Sequence, residues 1–217
     1  MMITPARFTK ACAVALTMLS MASQATTLTF EDINLAPGSH IDMPAGYGGL
    51  TWANTGVLDV DGNAYHPSGY EAGLVSGTQL GYNSAGLPMS FSAASPFTFN
   101  SVYVTAAWND GLSVVVKGSL NGSTLFSQTL SPSATASALY TFNWSGIDKV
   151  SISSSGGTGH YPLGSATQIA FDNLTINEPV TPFTPAVPEP QTYVLMAACL
   201  AVVAGVTRRT RQGQTKA

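Results

Sequence analysis

Through the middle of the chain, apolar and polar residues alternate with a period of two. In LSVVVKGSL, Leu112, Val114, Val116 and Leu120 fall on one side and Ser113, Lys117 and Ser119 on the other, with Val115 the exception. Successive side chains of a strand point to opposite faces, so this pattern predicts a half-buried strand. Asn121-Gly122 follows at once and STLFSQTL returns. Both residues tolerate the positive φ of a two-residue hairpin turn, so the two runs predict a hairpin. Upstream, FTFNSVYVTAAW runs into Asn109-Asp110-Gly111, which predicts another tight turn. Downstream, ALYTFNW, KVSISSS and TQIAFDNLTI read as further strands joined by Ser- and Gly-rich stretches. Residues 26–177 sustain no 3.6-residue pattern and no internal repeat. The expectation is all-β: about eight to ten short antiparallel strands in a single antiparallel β-sandwich of jelly-roll type.

Both ends break the pattern. Residues 1–25 begin with Arg7 and Lys10, continue with an apolar stretch from Ala11 to Ala22, and reach small residues at Ser23 and Ala25. That is the layout of a secretory signal peptide, with cleavage expected after Ala25. At the other end, proline stands at 179, 182, 185, 188 and 190, so residues 178–187 read as a semi-rigid extended linker. The run at residues 193–206 has fourteen residues without a charge. As a helix it covers ~21 Å of a bilayer core ~30 Å thick. With its flanks it makes a hydrophobic helix over about 192–207, marginal as a permanent span. Arg208, Arg209 and Arg211 then stop it on the cytoplasmic side.

Pro188-Glu189-Pro190, the apolar helix and Arg208-Arg209 together resemble the PEP-CTERM sorting signal of Gram-negative bacteria, here at residues 188–212. The same tail also goes by the label ice-binding protein C-terminal domain. The resemblance implies recognition and cleavage by an exosortase, a membrane-embedded cysteine protease. Pro188, Glu189, Pro190, Arg208 and Arg209 are then recognition elements. It also implies transient residence in the inner membrane through the C-terminal helix, followed by release to the cell surface or extracellular matrix, in a setting of exopolysaccharide and biofilm. Ice binding itself needs a flat, regularly spaced threonine array, and the threonines here show no such repeat.

Composition narrows the function of the domain between these signals. Both cysteines, Cys12 and Cys199, lie in the terminal segments, so residues 26–177 use no disulfide, thiolate metal site or cysteine nucleophile. From Thr26 to Glu178, ten acids face only Lys117 and Lys149, a net charge of −8. Nucleic acid needs cationic neutralisation of its phosphates, so it is excluded as a partner, and anionic lipid is disfavoured too. A neutral ligand suits such a surface.

Two acids sit among apolar neighbours. Strand alternation places Asp32 with Leu28 and Phe30, and Asp172 with Ala170, Leu174 and Ile176. An inward carboxylate is costly unless paired, and the domain contains no arginine. Ca²⁺, a hard cation that takes carboxylate oxygens, is one solution; backbone N–H donors are the other. FED near the start, AAWNDG and FDNLTI at the end resemble the galactose-binding-like carbohydrate-binding sandwiches. That resemblance implies a structural Ca²⁺ held near the chain ends, with Glu31, Asp32 and Asp172 as ligands. A second loop, DVDGNAYHPSGYE, puts Asp59, Asp61 and Asn63 at EF-hand positions, yet Ala64 replaces the glycine and Tyr70 the bidentate Glu, so it reads as an Asp-Gly turn.

Aromatic residues are numerous for so polar a domain, and sugars stack on exposed rings. Trp144 alternates with Tyr140 and Phe142, which predicts a place in the core. Trp108 closes a strand at a loop beside Asn109 and Asp110, and Tyr65 and Tyr70 are expected in a loop; these five are the expected ligand-binding residues. Catalysis finds little support: His40, His66 and His160 stand alone in loops, no HExxH or GxSxG occurs, and Asp110 with Glu71 is an imaginable glycosidase pair. The expectation is an exported, non-enzymatic protein whose domain binds polysaccharide. The alternative is a structural or adhesion protein of the matrix that contacts other proteins.

Overall fold

A computed structural model of the chain describes residues 24–62, 66–162 and 166–180. Residues 1–23 of the signal peptide, the linker beyond residue 180, the sorting motif and the apolar helix lie outside the described residues, as does Tyr65. Among the described residues no helix is long and apolar enough to cross a membrane.

The domain is all-β and antiparallel. Its strands are β1 (Thr26–Leu28), β2 (His40–Asp42), β3 (Thr51–Ala53), β4 (Thr55–Asp59), β5 (Gln79–Asn83), β6 (Met89–Ala106), β7 (Asn109–Leu120), β8 (Ser123–Leu130), β9 (Ala138–Gly159) and β10 (Ile169–Ile176). A short helix, α1 (Gly69–Gly73), lies between β4 and β5. Hydrogen bonding runs in the order β2-β4-β5-β10-β6-β9-β7-β8, with β1 added to β10 and β3 to β6.

Two long strands turn this ribbon into a sandwich. The start of β9 pairs with the end of β6, from Phe97↔Ile147 to Val104↔Ala138. The rest of β9 pairs with β7, from Ser119↔Lys149 to Asn109↔Gly159. The register of β6 on β9 breaks between Ser92 and Phe97 and twice more before Ser101, and Pro96 lies in the first break. Bulges and bends of this kind carry a strand from one sheet into the other. One layer is therefore β2-β4-β5-β10 with the end of β6 and the start of β9; the other is β3, the start of β6, the end of β9, β7 and β8.

The core between the layers is aromatic. Phe30, Phe91, Phe99, Ile147 and Leu112 are fully buried, and Trp52 of one layer stacks over Phe171 of the other at 6.4 Å between ring centroids. Burying each such side chain contributes about 1.5–3 kcal/mol. Trp144 joins them, 8 % exposed, between Phe142 and Phe126, as its alternation predicts. Leu112, Val114 and Val116 are buried as expected, while Leu120, next to the turn, is half-buried. Asn121 (φ 50°) and Gly122 (φ 80°) close the β7–β8 hairpin, joining Leu120 to its partner Ser123. Both values are the left-handed ones that a type I′ turn requires.

Two local expectations need correction. Asn109-Asp110-Gly111 is not a turn: the chain turns at Ala107 and Trp108, and β7 already begins at Asn109. Gly111 (φ 71°) and Gly157 (φ 73°) instead fall opposite each other inside β7 and β9. Asp32 does not point inward. β1 ends at Leu28 and Phe30 adopts φ 67°, so the chain swings out and Asp32 is exposed in a turn.

Candidate functional site

Strand alternation gives the first layer a second apolar face, directed away from the sandwich core. Leu58 of β4, Leu80 of β5 and Ala170 of β10 pack there with Val60, Ala107 and Tyr70, as a cluster separate from the main core. The connection from β4 to β5 covers this face. Its helix α1 is seated by glycines: a Cβ on Gly69 would lie 1.8 Å from the Ala106 carbonyl oxygen, and one on Gly73 3.0 Å from the Ala170 side chain. The Gly69 N–H donates to the Ala107 carbonyl at 2.8 Å.

The segment after α1 is fastened by three carboxylates. Asp172, fully buried, accepts the N–H groups of Val75 and Ser76, both at 2.8 Å, and of Asn173 at 2.7 Å. Glu31 accepts those of Thr78 at 3.1 Å and Gln79 at 2.7 Å. Asp59 accepts the Thr78 hydroxyl at 2.8 Å and the Asp61 N–H at 2.9 Å, which makes its loop an Asp turn. Burial raises the Asp172 carboxyl above its usual range, and the N–H bonds from Ser76, Val75 and Asn173 oppose that rise.

These contacts bear on the calcium expectation. β1 does pair with β10, Thr26 opposite Ile176, so the first and last strands of the domain meet as expected. The acids named as calcium ligands nevertheless do not converge. Exposed Asp32 accepts the Tyr47 hydroxyl at 2.7 Å, while Glu31 and Asp172 face N–H donors. A carboxylate ringed by N–H groups directs its lone pairs at protons, an arrangement that does not fit a cation. Among the described residues no three His, Cys, Asp or Glu side chains group in a way that could hold a metal ion.

Beside α1 the outward face opens into a cleft of about 290 Å³, lined by His40, Leu58, Tyr70, Tyr82, Ala85, Trp108 and Gln168. Trp108 and Tyr70, both expected ligand residues, come together here, their centroids 5.8 Å apart and their planes at 88°. Tyr70 is not in a loop but on α1, and only 3 % exposed. Tyr82 stands edge-on to Tyr70 at 6.0 Å and to His40 at 6.5 Å. The Tyr82 ring has its place because Gly56 beneath it lacks a side chain; a Cβ there would lie 2.5 Å from the ring. Trp108 is half-buried at the turn between β6 and β7, its carbonyl accepting the His160 N–H at 2.9 Å.

Gln168 Oε1 is buried without a hydrogen-bond partner, and so is Thr105 Oγ1 on the adjoining strand position, opposite Ala170. Such groups cost free energy unless something supplies the missing partner.

The remaining expected residues serve the frame. Asn109 is 3 % exposed, donating to the Gly156 carbonyl at 3.2 Å and accepting the Ala166 N–H at 2.9 Å. Asp110 accepts the Ala134 N–H at 2.8 Å and pairs with His160. Glu71 pairs with His66 at 2.6 Å, which lifts the His66 imidazole above its usual range. Each carboxylate of the imagined glycosidase pair is therefore engaged by its own histidine. Sequence reasoning missed Tyr82, His40 and Gln168. For Tyr82 a signal existed, since Leu80 and Tyr82 alternate in QLGYN.

No protein-family model matches the chain, and no curated protein matches it in sequence. Among solved structures it is similar to TmCBM61 in complex with β-1,4-galactotriose, at 10 % identity and a TM-score of 0.34 over 61 % of this chain and 93 % of that one. It is also similar to the family 11 carbohydrate-binding module of the cellulosomal cellulase Lic26A-Cel5E of Clostridium thermocellum, at 9 % identity and a TM-score of 0.33 over 75 % and 100 %. A truncated AlyQ with CBM32 and alginate lyase domains overlaps at 19 % identity and a TM-score of 0.32 over 64 % and 33 %. Likenesses of this size carry no functional weight.

Proposed function

We propose that this chain is an exported, non-catalytic polysaccharide-binding protein, sorted by an exosortase to the cell surface or extracellular matrix. The cleft carries the binding reading: it combines the ring of Trp108 with those of Tyr70 and Tyr82. Rings offer a surface for the C–H face of a sugar. The non-catalytic reading is supported by Glu71 and Asp110, each tied to a histidine. The sorting reading is supported by Pro188-Glu189-Pro190 followed by the apolar run and Arg208-Arg209.

A glycan array and titration calorimetry with the purified full chain test the binding. Trp108→Ala should lose about tenfold or more in affinity, compared at a temperature where the variant is folded, since its ring also packs on Tyr70. A folded Trp108→Ala protein that binds at full strength removes Trp108 from the site; an array without any bound glycan removes the reading. For sorting, Glu189→Ala should leave an unprocessed, membrane-retained form, and unchanged release of the mature protein argues against an exosortase.

The rival reading, a matrix protein that contacts other proteins, is favoured by the second layer. Its outward face carries Ser113, Ser119, Ser151 and Ser153 in register across β7 and β9, with no aromatic ring among them.

A further inference from the structure

We infer that a second copy of this chain adds to the protein edge to edge, along the flank where β8 and the start of β9 end the two layers. This goes beyond the binding reading and rests on neither the cleft nor the sorting signal.

The first observation is length. β1, β2 and β3, each paired with a single strand, are three residues long, and β2 carries Asp42. Short or charged edges are how folded proteins keep other chains from pairing with them. β8 departs from that rule: it has eight residues without charge or proline, and it pairs with β7 alone. Its bulge at Leu125 lies beside the hairpin turn and leaves Phe126 to Leu130 regular against Gly118 to Val114.

The second is the meeting of two edges. Residues 138–147 of β9 pair with β6 and not with β7, whose ladder on β9 begins at Lys149. They end the first layer as β8 ends the second. The Phe126 ring lies flat on Trp144, 5.3 Å between centroids, so both edges share one side of the sandwich. Leu125 on one strand is 50 % exposed and Leu139 on the other 51 %. Among the described residues no turn or loop makes a backbone hydrogen bond to either stretch. The outward N–H and C=O groups there are left to water or to another strand.

The third is charge. Residues 118–147, thirty in a row, contain no acid and no base, in a domain whose net charge is −8. Two copies of so acidic a domain repel one another over most of their surface, and along this flank they approach without like charges opposed. A strand edge turned about a two-fold axis normal to its sheet meets itself antiparallel, so a second copy fits it without any further complementarity.

Sedimentation velocity of the purified full chain, from about 1 µM to about 500 µM, should show a reversible monomer–dimer equilibrium with a Kd of about 10–100 µM, as a small interface gives. Ser127→Glu suits the test. Lys117 is its cross-strand partner, so the monomer keeps its fold, while two copies bring like charges together near the axis. It should weaken the dimer about tenfold or more, and Thr141→Glu, on the other edge, should weaken it too. Ser153→Glu places the same charge on the outward face of the second layer and should leave the Kd within about twofold. Amide hydrogen exchange, compared at low and high concentration, should slow in β8 and residues 138–147. A chain that stays monomeric over this range overturns the inference. So does a dimer that Ser127→Glu leaves intact, or one whose flank amides exchange as fast as in the monomer. Glycan binding enters none of these readouts, so their failure leaves the cleft reading standing.

Discussion

The two outward faces of the sandwich are built from the same kind of strand and have opposite fates. On the first layer, Leu58, Leu80, Tyr82 and Ala170 are covered by α1 and the segment that follows it, leaving the aromatic cleft at the margin. On the second layer, Ser113, Lys117 and Ser119 of β7, with Lys149, Ser151 and Ser153 of β9, remain exposed or half-buried, with no element of the described residues over them. The difference lies in the connections. β4 and β5 are joined by residues 60–78, long enough to fold back over the sheet, whereas β7 and β8 are joined by Asn121-Gly122 alone. A tight hairpin cannot cover its own face, so that face must be polar. A long connection can cover an apolar face, provided its backbone polar groups find partners. Asp172, Glu31 and Asp59 are those partners.

The contrast can be broken at the fastening. Asp172→Ala leaves the Val75, Ser76 and Asn173 N–H groups without their acceptor, and should cost about 3 kcal/mol in thermal or urea unfolding and abolish ligand binding. A chelator should leave the melting curve of the native protein unmoved, because the carboxylate is answered by N–H groups. A calcium-dependent rise in Tm would reverse that conclusion. Gly69→Ala drives a methyl group into the Ala106 carbonyl and should cost about 2 kcal/mol by lifting α1 from the sheet. Native stability in that variant would show that the helix is not seated on the backbone.

On the bare face the expected effects are small. Ser153→Ala should change stability by no more than about 0.5 kcal/mol and leave glycan affinity unaltered. A loss of binding there would move the site to the serine face and favour the rival reading. Smallest is the His66–Glu71 pair beside the cleft. The folded state raises the His66 pKa above 6.5, so its stabilisation is fully present below that value and is lost as pH rises through the folded-state value. Since both side chains are about a third or more exposed, Tm should fall only slightly between about pH 6 and about pH 8. His66→Gln should flatten that slope, and an unchanged slope would assign it to another group.

Legibility followed sequence distance. Alternation along residues 112–116 identified a strand and its buried side, because both are set by neighbours two residues away. Asn121-Gly122 identified the hairpin for a similarly local reason. Trp108 was expected as a ligand residue from its place at the end of a strand and Tyr70 from an expected place in a loop; the structure brings both to one cleft. Tyr82, His40 and Gln168, which complete the cleft, come from three strands or loops separated by tens of residues. Asp32 was misjudged because the rule of alternation assumes extended backbone, and Phe30 leaves it for a left-handed conformation that phenylalanine seldom adopts.

By itself, then, the order of amino acids determined the strand class of the domain, the β7–β8 hairpin and the acidic balance of charge, since each follows from composition or from contacts a few residues apart. Tertiary structure alone decided which donors answer Asp172, Glu31 and Asp59, and that β4 and β5 would carry a covered face. It also decided that four aromatic rings would meet around one cleft. Those outcomes depend on strand register and on which face a long connection folds over, and both are settled by contacts between residues far apart in the chain.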